Sequence, residues 1–210
     1  MKDAIRQSEL DNGSLRYWDF SNGSHAFATR YILPYLSKEY RRCFNNCFNG
    51  ATYPKLGNYS MTSGSSYYIL DDMEHAILRV RVIENRDACA ETWTTNRIGT
   101  CTTPRMAEIL IDIDGNKGPS RIGNDVHHFV LVSFVKKTGW GCGETGEYYG
   151  LYPGSMGSGY YASYKLDTET VKKRCERTGG DYMPQDCTLL LQRNGWKFPK
   201  GLYEKIEKMR

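Results

Sequence analysis

The residues Asp112-Ile113-Asp114-Gly115-Asn116-Lys117-Gly118 set side-chain oxygens at alternate positions around a glycine turn. A hard cation such as calcium takes several converging oxygens, and a glycine permits the sharp bend that such a loop needs. The spacing matches the first half of an EF-hand loop. Gly118 stands where a backbone carbonyl would ligate, and Asn124 and Asp125 are the nearest groups to close the shell in place of the missing final Glu. The candidate calcium set is therefore Asp112, Asp114, Asn116 and Asp125, and no other cofactor is suggested. The competing reading is a plain Asp/Asn-Gly turn whose side chains bond their own backbone.

His127-His128 lies in a strand-like run, so the two rings are expected on opposite faces, one in the core and one exposed, unable to chelate one ion together. Cys142, within Gly139-Trp-Gly-Cys-Gly143, has the surroundings of a nucleophile in a glycine loop, with His127 or His128 as its base. A catalytic thiol also needs a positioned base and a lowered pKa. The other reading of Cys142 is a disulfide partner, of Cys43 or Cys47, or an unpaired thiol. Ser155 lacks the Gly-x-Ser-x-Gly elbow. No acid/base constellation stands out, so the chain reads as a non-enzyme, with a thiol hydrolase using Cys142 as the last alternative. Trp140, Tyr148, Tyr149, Tyr152, Tyr160, Tyr161 and Tyr164 form an aromatic strip among glycines. Such rings stack on a surface carbohydrate or anchor a host protein, or else pack beneath a covered loop.

The seven cysteines contain no CxxC and no Cys/His zinc spacing. Cys89/Cys101 and Cys175/Cys187 each bracket a turn-rich segment, the kind of loop that disulfides staple in an oxidising compartment. The alternative is reduced cysteines, several of them serving as small core hydrophobes. Mean hydropathy is -0.61, yet aromatics make up 13% of the chain, with 16 Tyr, which describes a globular chain with an amphipathic surface. A net charge of +4, evenly spread, does not point to nucleic acid. Met1–Gln7 has no apolar signal core and no run of ~18 apolar residues occurs. Either the chain is cytosolic or its export depends on an element upstream of Met1, and the second is the expectation.

Around these residues the pattern predicts a helix ending near Asp11-Asn12-Gly13, and a second helix capped by Ser24 and interrupted at Pro34. Asn45–Ser66 reads as loop. Period-two alternation predicts strands at Tyr67–Leu70, Leu78–Val82, Ile109–Ile113 and Asp125–Val135, the last as the central strand. Short connections favour an antiparallel sheet of about four strands. Thr138–Gly159 reads as a glycine-rich loop. Thr168 is expected to cap a helix through Arg177, and Pro184 to open a last helical turn through Arg193, closed by Asn194-Gly195.

Three segments carry a resemblance. Ile111–Phe129 is a strand ending in Asp, an Asp-Gly turn, then Gly-Pro and a following Asp-led apolar strand. Ser8–Gly13 with Trp18-Asp19 and Tyr31–Leu36 is the second, and Cys187–Pro199, with its Asn-Gly-Trp-Lys, is the third. In this order they resemble the type IV pilin-like and pseudopilin-like proteins that carry a prepilin-type cleavage and methylation N-terminus. The apolar helix and processing site that define that group are not among these residues.

The resemblance implies one α+β pilin-like domain over 1–210. Its parts would be a helical N-terminal part (1–44) packed on a sheet (67–135), then a glycine/aromatic loop and a disulfide-tied C-terminal helical region (138–210). It implies a structural subunit or minor subunit of a type IV pilus or type II secretion pseudopilus, with other such subunits as partners. The domain would be extracytoplasmic, at the cell surface or in the periplasm, and would touch the membrane only through the upstream helix. Some relatives bind calcium in the sheet region, which bears on the Asp112 loop. The alternative is a secreted or surface binding module that uses the Tyr/Gly-rich strip.

Overall fold

A computed structural model describes residues 1–43, 65–73, 75–84, 105–113, 115, 125–136, 146–153, 166–176 and 186–197. The described chain is α+β. It opens with α1 (Lys2–Asn12), a 3-10 turn (Leu15–Tyr17), α2 (Gly23–Tyr31) and α3 (Leu33–Leu36). Six strands follow: β1 (Tyr40–Cys43), β2 (Ser65–Leu70), β3 (Ala76–Glu84), β4 (Arg105–Asp112), β5 (Val126–Lys136) and β6 (Gly146–Pro153). Helices α4 (Thr168–Cys175) and α5 (Asp186–Arg193) complete it. The strands form one antiparallel meander in chain order.

The sheet has six strands where four were expected. Tyr40–Cys43 is a short exposed edge strand and not part of the helical start. Ser65 and Ser66 belong to β2 and not to a loop. Gly146–Pro153, read as loop because of its glycines, pairs with β5 along its whole length. Val126–Lys136 thus lies second from the edge, and β3 and β4 are central.

Alternation sorts the strands into two faces. One presents Tyr68 and Leu70, Leu78 and Val80, Ala107 and Ile109, Phe129 and Leu131, all buried in one core with the helices. The helices contribute Ile5, Trp18, Phe20, Phe27, Tyr31 and Leu33. Trp18 stacks on Tyr31 with centroids 4.5 Å apart, and Phe27 sits 5.1 Å from Tyr31 and 4.6 Å from Phe20. The polar tips are satisfied too: Trp18 Nε1 donates to the Gly13 carbonyl at 2.8 Å, and Asp19 N–H donates to the Tyr31 hydroxyl at 3.1 Å. Each such side chain contributes about 1.5–3 kcal/mol by leaving water.

Pro34 breaks the helical run as expected, with α2 ending at Tyr31 and α3 starting at Leu33. Ser24 does not cap α2. It lies inside the helix, buried, and its Oγ accepts the Val82 N–H at 2.9 Å. The reason is the uneven strand length: β2 begins opposite Arg81, so β3 overruns it and Val82 needs another acceptor.

The C-terminal helices are tied by a Cys175–Cys187 disulfide, with Cα atoms 4.9 Å apart. Val171, Leu189 and Leu190 pack around it as a second small core, and Arg174 Nε lies 3.2 Å from Asp186 Oδ2. Helix α4 is capped by Asp167 and not Thr168, since Asp167 Oδ1 accepts the Thr170 N–H at 2.8 Å, and it stops at Cys175. Cys43 is disulfide-bonded as well, to a partner outside the described residues. Cys89 and Cys101 also lie outside them.

Two outcomes are expected. Ser24→Ala removes the acceptor of the half-buried Val82 N–H and lowers unfolding free energy by roughly 1 kcal/mol, read by denaturant titration together with faster hydrogen exchange at Val82. Replacing Cys175 and Cys187 by Ala costs about 3 kcal/mol for a loop of this length. An unchanged midpoint for either variant in the same titration contradicts the corresponding role.

Candidate functional site

Asp112 is the last residue of β4 and is buried. Its Oδ1 accepts the Gly115 N–H at 3.1 Å, and the Ile113 N–H donates to the Asp125 carbonyl at 2.9 Å, which closes the base of the loop. Gly115 has φ 58°, and a Cβ there would stand 2.3 Å from the His75 carbonyl oxygen, so the turn admits only glycine. The Oδ1 of Asp112 therefore serves the turn. Asp114 and Asn116 lie outside the described residues. Among the described residues no group of three His, Cys, Asp or Glu side chains gathers as a metal site.

Tyr148, Tyr149 and Tyr152 are in β6. Tyr149 is half-buried, with the Arg16 guanidinium 5.6 Å from its ring centroid, which ties the 3-10 turn to the last strand. Tyr152 is half-buried opposite Val130. Trp140, Tyr160, Tyr161 and Tyr164 lie outside the described residues, as do Cys47, Cys142 and Ser155.

His127 and His128 do face opposite sides of the sheet, but both are buried and neither is exposed. His127 falls in register with Ile111 on the helix-covered face, and His128 with Leu110 on the other. The reason is the C-terminal pair. Strand β6 pairs as far as Pro153 opposite Phe129, so among the described residues Val126–His128 of β5 have a strand, β4, on one side only. Helix α5 docks against that edge, where Thr188 Oγ1 accepts the His128 N–H at 3.1 Å. Burial pushes the His127 pKa down to about 4. Burial, reinforced by the Arg79 charge, pushes His128 down to about 3.

The second face holds a charged tract that alternation alone conceals. Arg79 and Arg81 of β3 occupy the positions expected to face water, yet Arg79 is buried, as are Glu108 and Asp112 of β4. Arg81 pairs in register with Glu108, and their side chains approach to 3.8 Å. Burial raises the Glu108 pKa, while Arg79 and Arg81 pull it back down. A signal was present in the alternation: the outward arginines of β3 and the carboxylates of β4 share one face, and the register sets Arg81 across from Glu108, with Arg79 opposite Leu110. This arrangement holds charge within a sheet.

No family model, no curated protein and no solved structure matches the chain.

The buried histidines set a pH dependence. Their folded pKa values lie below the ordinary 6.5, so the unfolded chain binds more protons between about pH 6.5 and pH 4, and stability rises with pH there. The contribution is complete above pH 6.5 and is lost as pH falls toward about 4 and then 3. Glu108 acts in the opposite sense: its pKa is raised by burial, so the folded chain holds that proton more readily and the contribution falls as pH rises above the ordinary Glu range. Unfolding free energy measured at pH 7 and pH 5 should therefore drop, with uptake of about two protons on unfolding. A flat profile contradicts burial of the neutral rings.

Proposed function

We propose that the chain is the extracytoplasmic domain of a pilin-like or pseudopilin-like subunit, a structural module that assembles with other subunits into a type IV pilus or a type II secretion pseudopilus. One observation carries the reading: helices, then an antiparallel sheet, then a disulfide-closed C-terminal region occur in the order of the three resembling segments. The segment at the Asp112 turn joins β4 to β5, and the Asn194-Gly195-Trp196-Lys197 segment closes α5.

The N-terminal geometry agrees with that role. Helix α1 starts at Lys2 and buries Ala4, Ile5 and Ser8 against the rest of the domain. A helix arriving from upstream would run into α1 and be carried by the same core. Among the described residues no helix is long and apolar enough to cross a membrane. Membrane attachment in this reading belongs to the upstream helix alone. Calcium remains part of the proposal through the Asp112, Asp114, Asn116 and Asp125 loop.

The test is processing of the full reading frame. The proposal expects a short basic leader, a Gly, and then Phe followed by ~20 apolar residues with an early Glu. Co-expression with a prepilin peptidase should shorten the product and leave a methylated N-terminus, both read by intact mass. Cleavage by a general signal peptidase instead, or an upstream frame with no apolar helix, overturns the proposal.

A further inference from the structure

Three Asn-Gly pairs lie among the described residues: Asn12-Gly13, Asn22-Gly23 and Asn194-Gly195. Such pairs undergo a shared reaction. The glycine nitrogen attacks the Asn Cγ, a C–N bond forms, ammonia leaves, and water then opens the cyclic imide at either carbonyl to give Asp or isoAsp. The rate depends on a free glycine N–H and an Asn side chain able to turn toward it.

The three sites differ in both respects. Asn12 is held: its Nδ2 donates to the Tyr35 hydroxyl at 2.8 Å and to the Ser8 carbonyl at 3.2 Å, and it is half-buried. At Asn194 the nucleophile is engaged, since the Gly195 N–H donates to the Gln192 carbonyl at 3.2 Å, and Asn194 Nδ2 donates to the Lys197 carbonyl at 2.6 Å. Asn22 is exposed at the N-cap of α2, and its side chain makes no capping bond. Its amide bonds only the exposed Asp19–Ser21 turn, through Asp19 Oδ2. Gly23 is the first residue of α2, a position whose N–H has no intrahelical acceptor and which sits at the positive end of the helix dipole, where loss of its proton is favoured. With φ 77° and open space around its Cα, Gly23 puts nothing in the way of ring closure.

We infer that Asn22 is a spontaneous modification site, converted with water to Asp and isoAsp while Asn12 and Asn194 persist. The consequence reaches the sheet. Asp at this N-cap would sit well on the helix dipole, whereas isoAsp lengthens the backbone two residues before Ser24, whose hydroxyl holds the Val82 N–H.

The test is peptide mapping of the folded protein after incubation at mildly alkaline pH, with isoaspartyl methyltransferase labelling to separate the two products. Asn22 should convert severalfold faster than Asn12 or Asn194, and the isoAsp fraction should show faster hydrogen exchange at Val82. Asn22→Ser, which keeps a capping residue, should abolish both effects. Equal conversion at the three sites, or faster conversion at Asn12 or Asn194, overturns the assignment. Asn22 conversion without a change at Val82 overturns the link to the sheet.

Discussion

A β-sheet of unequal strands leaves ladder groups without partners, and a buried unpaired N–H costs as much as a lost hydrogen bond. Among the described residues this sheet meets that problem at two places: where β3 overruns β2 at Val82, and where β5 overruns β6 at His128. Both are met by a hydroxyl from a helix. Ser24 of α2 takes the first and Thr188 of α5 the second. The two helical layers are thereby fixed to the sheet at points set by strand length. Apolar burial supplies the larger energy, but it is non-directional, and the hydroxyl contacts decide where each helix lies along the strand.

The two attachments differ in what stands behind them. Helix α2 is part of the main core, with Phe27 and Tyr31 inside the aromatic cluster around Trp18. Helix α5 belongs to a small cluster of its own with α4. A handful of buried side chains gives such a unit little independent stability. The disulfide compensates by limiting the freedom of the unfolded loop between the helices. Trp196, just beyond α5, adds a ring contact to Phe129 at 6.0 Å, so the closing turn also returns to β5.

Much of this was legible in the residues. The period-two runs located β3, β4 and β5, the dozen-residue Cys175/Cys187 spacing gave its pairing, and Pro34 and Asn194-Gly195 marked helix ends. Strand β6 was hidden because Gly146 and Gly150 weaken a local strand signal, and its pairing with β5 comes only from the tertiary fold. Strand β1 was too short to show alternation. Ser24 and Thr168 were assigned by residue type, since a hydroxyl before a helix reads as a cap. Strand mismatch and the neighbouring Asp167 decide otherwise, and neither is local to the hydroxyl. The buried histidines were misread for the same reason: β5 appears half-exposed until a helix sixty residues later in the chain covers its edge.

The charged tract on the second face follows from these constraints. A six-stranded meander is open to slippage, because each hairpin could in principle shift its pairing. A slip of β3 by one residue would carry Arg79 and Arg81 onto the face now filled by Leu78 and Val80 and leave Glu108 behind, at the cost of burying unpaired charge among apolar side chains. A slip of two would keep the faces but move Arg81 away from Glu108. The raised pKa of Glu108 shows that its burial is not free. Replacing the whole tract with apolar residues would therefore not need to weaken the fold, whereas removing Arg81 alone would leave Glu108 short of a partner. What the tract favours is a single register for β3 on β4.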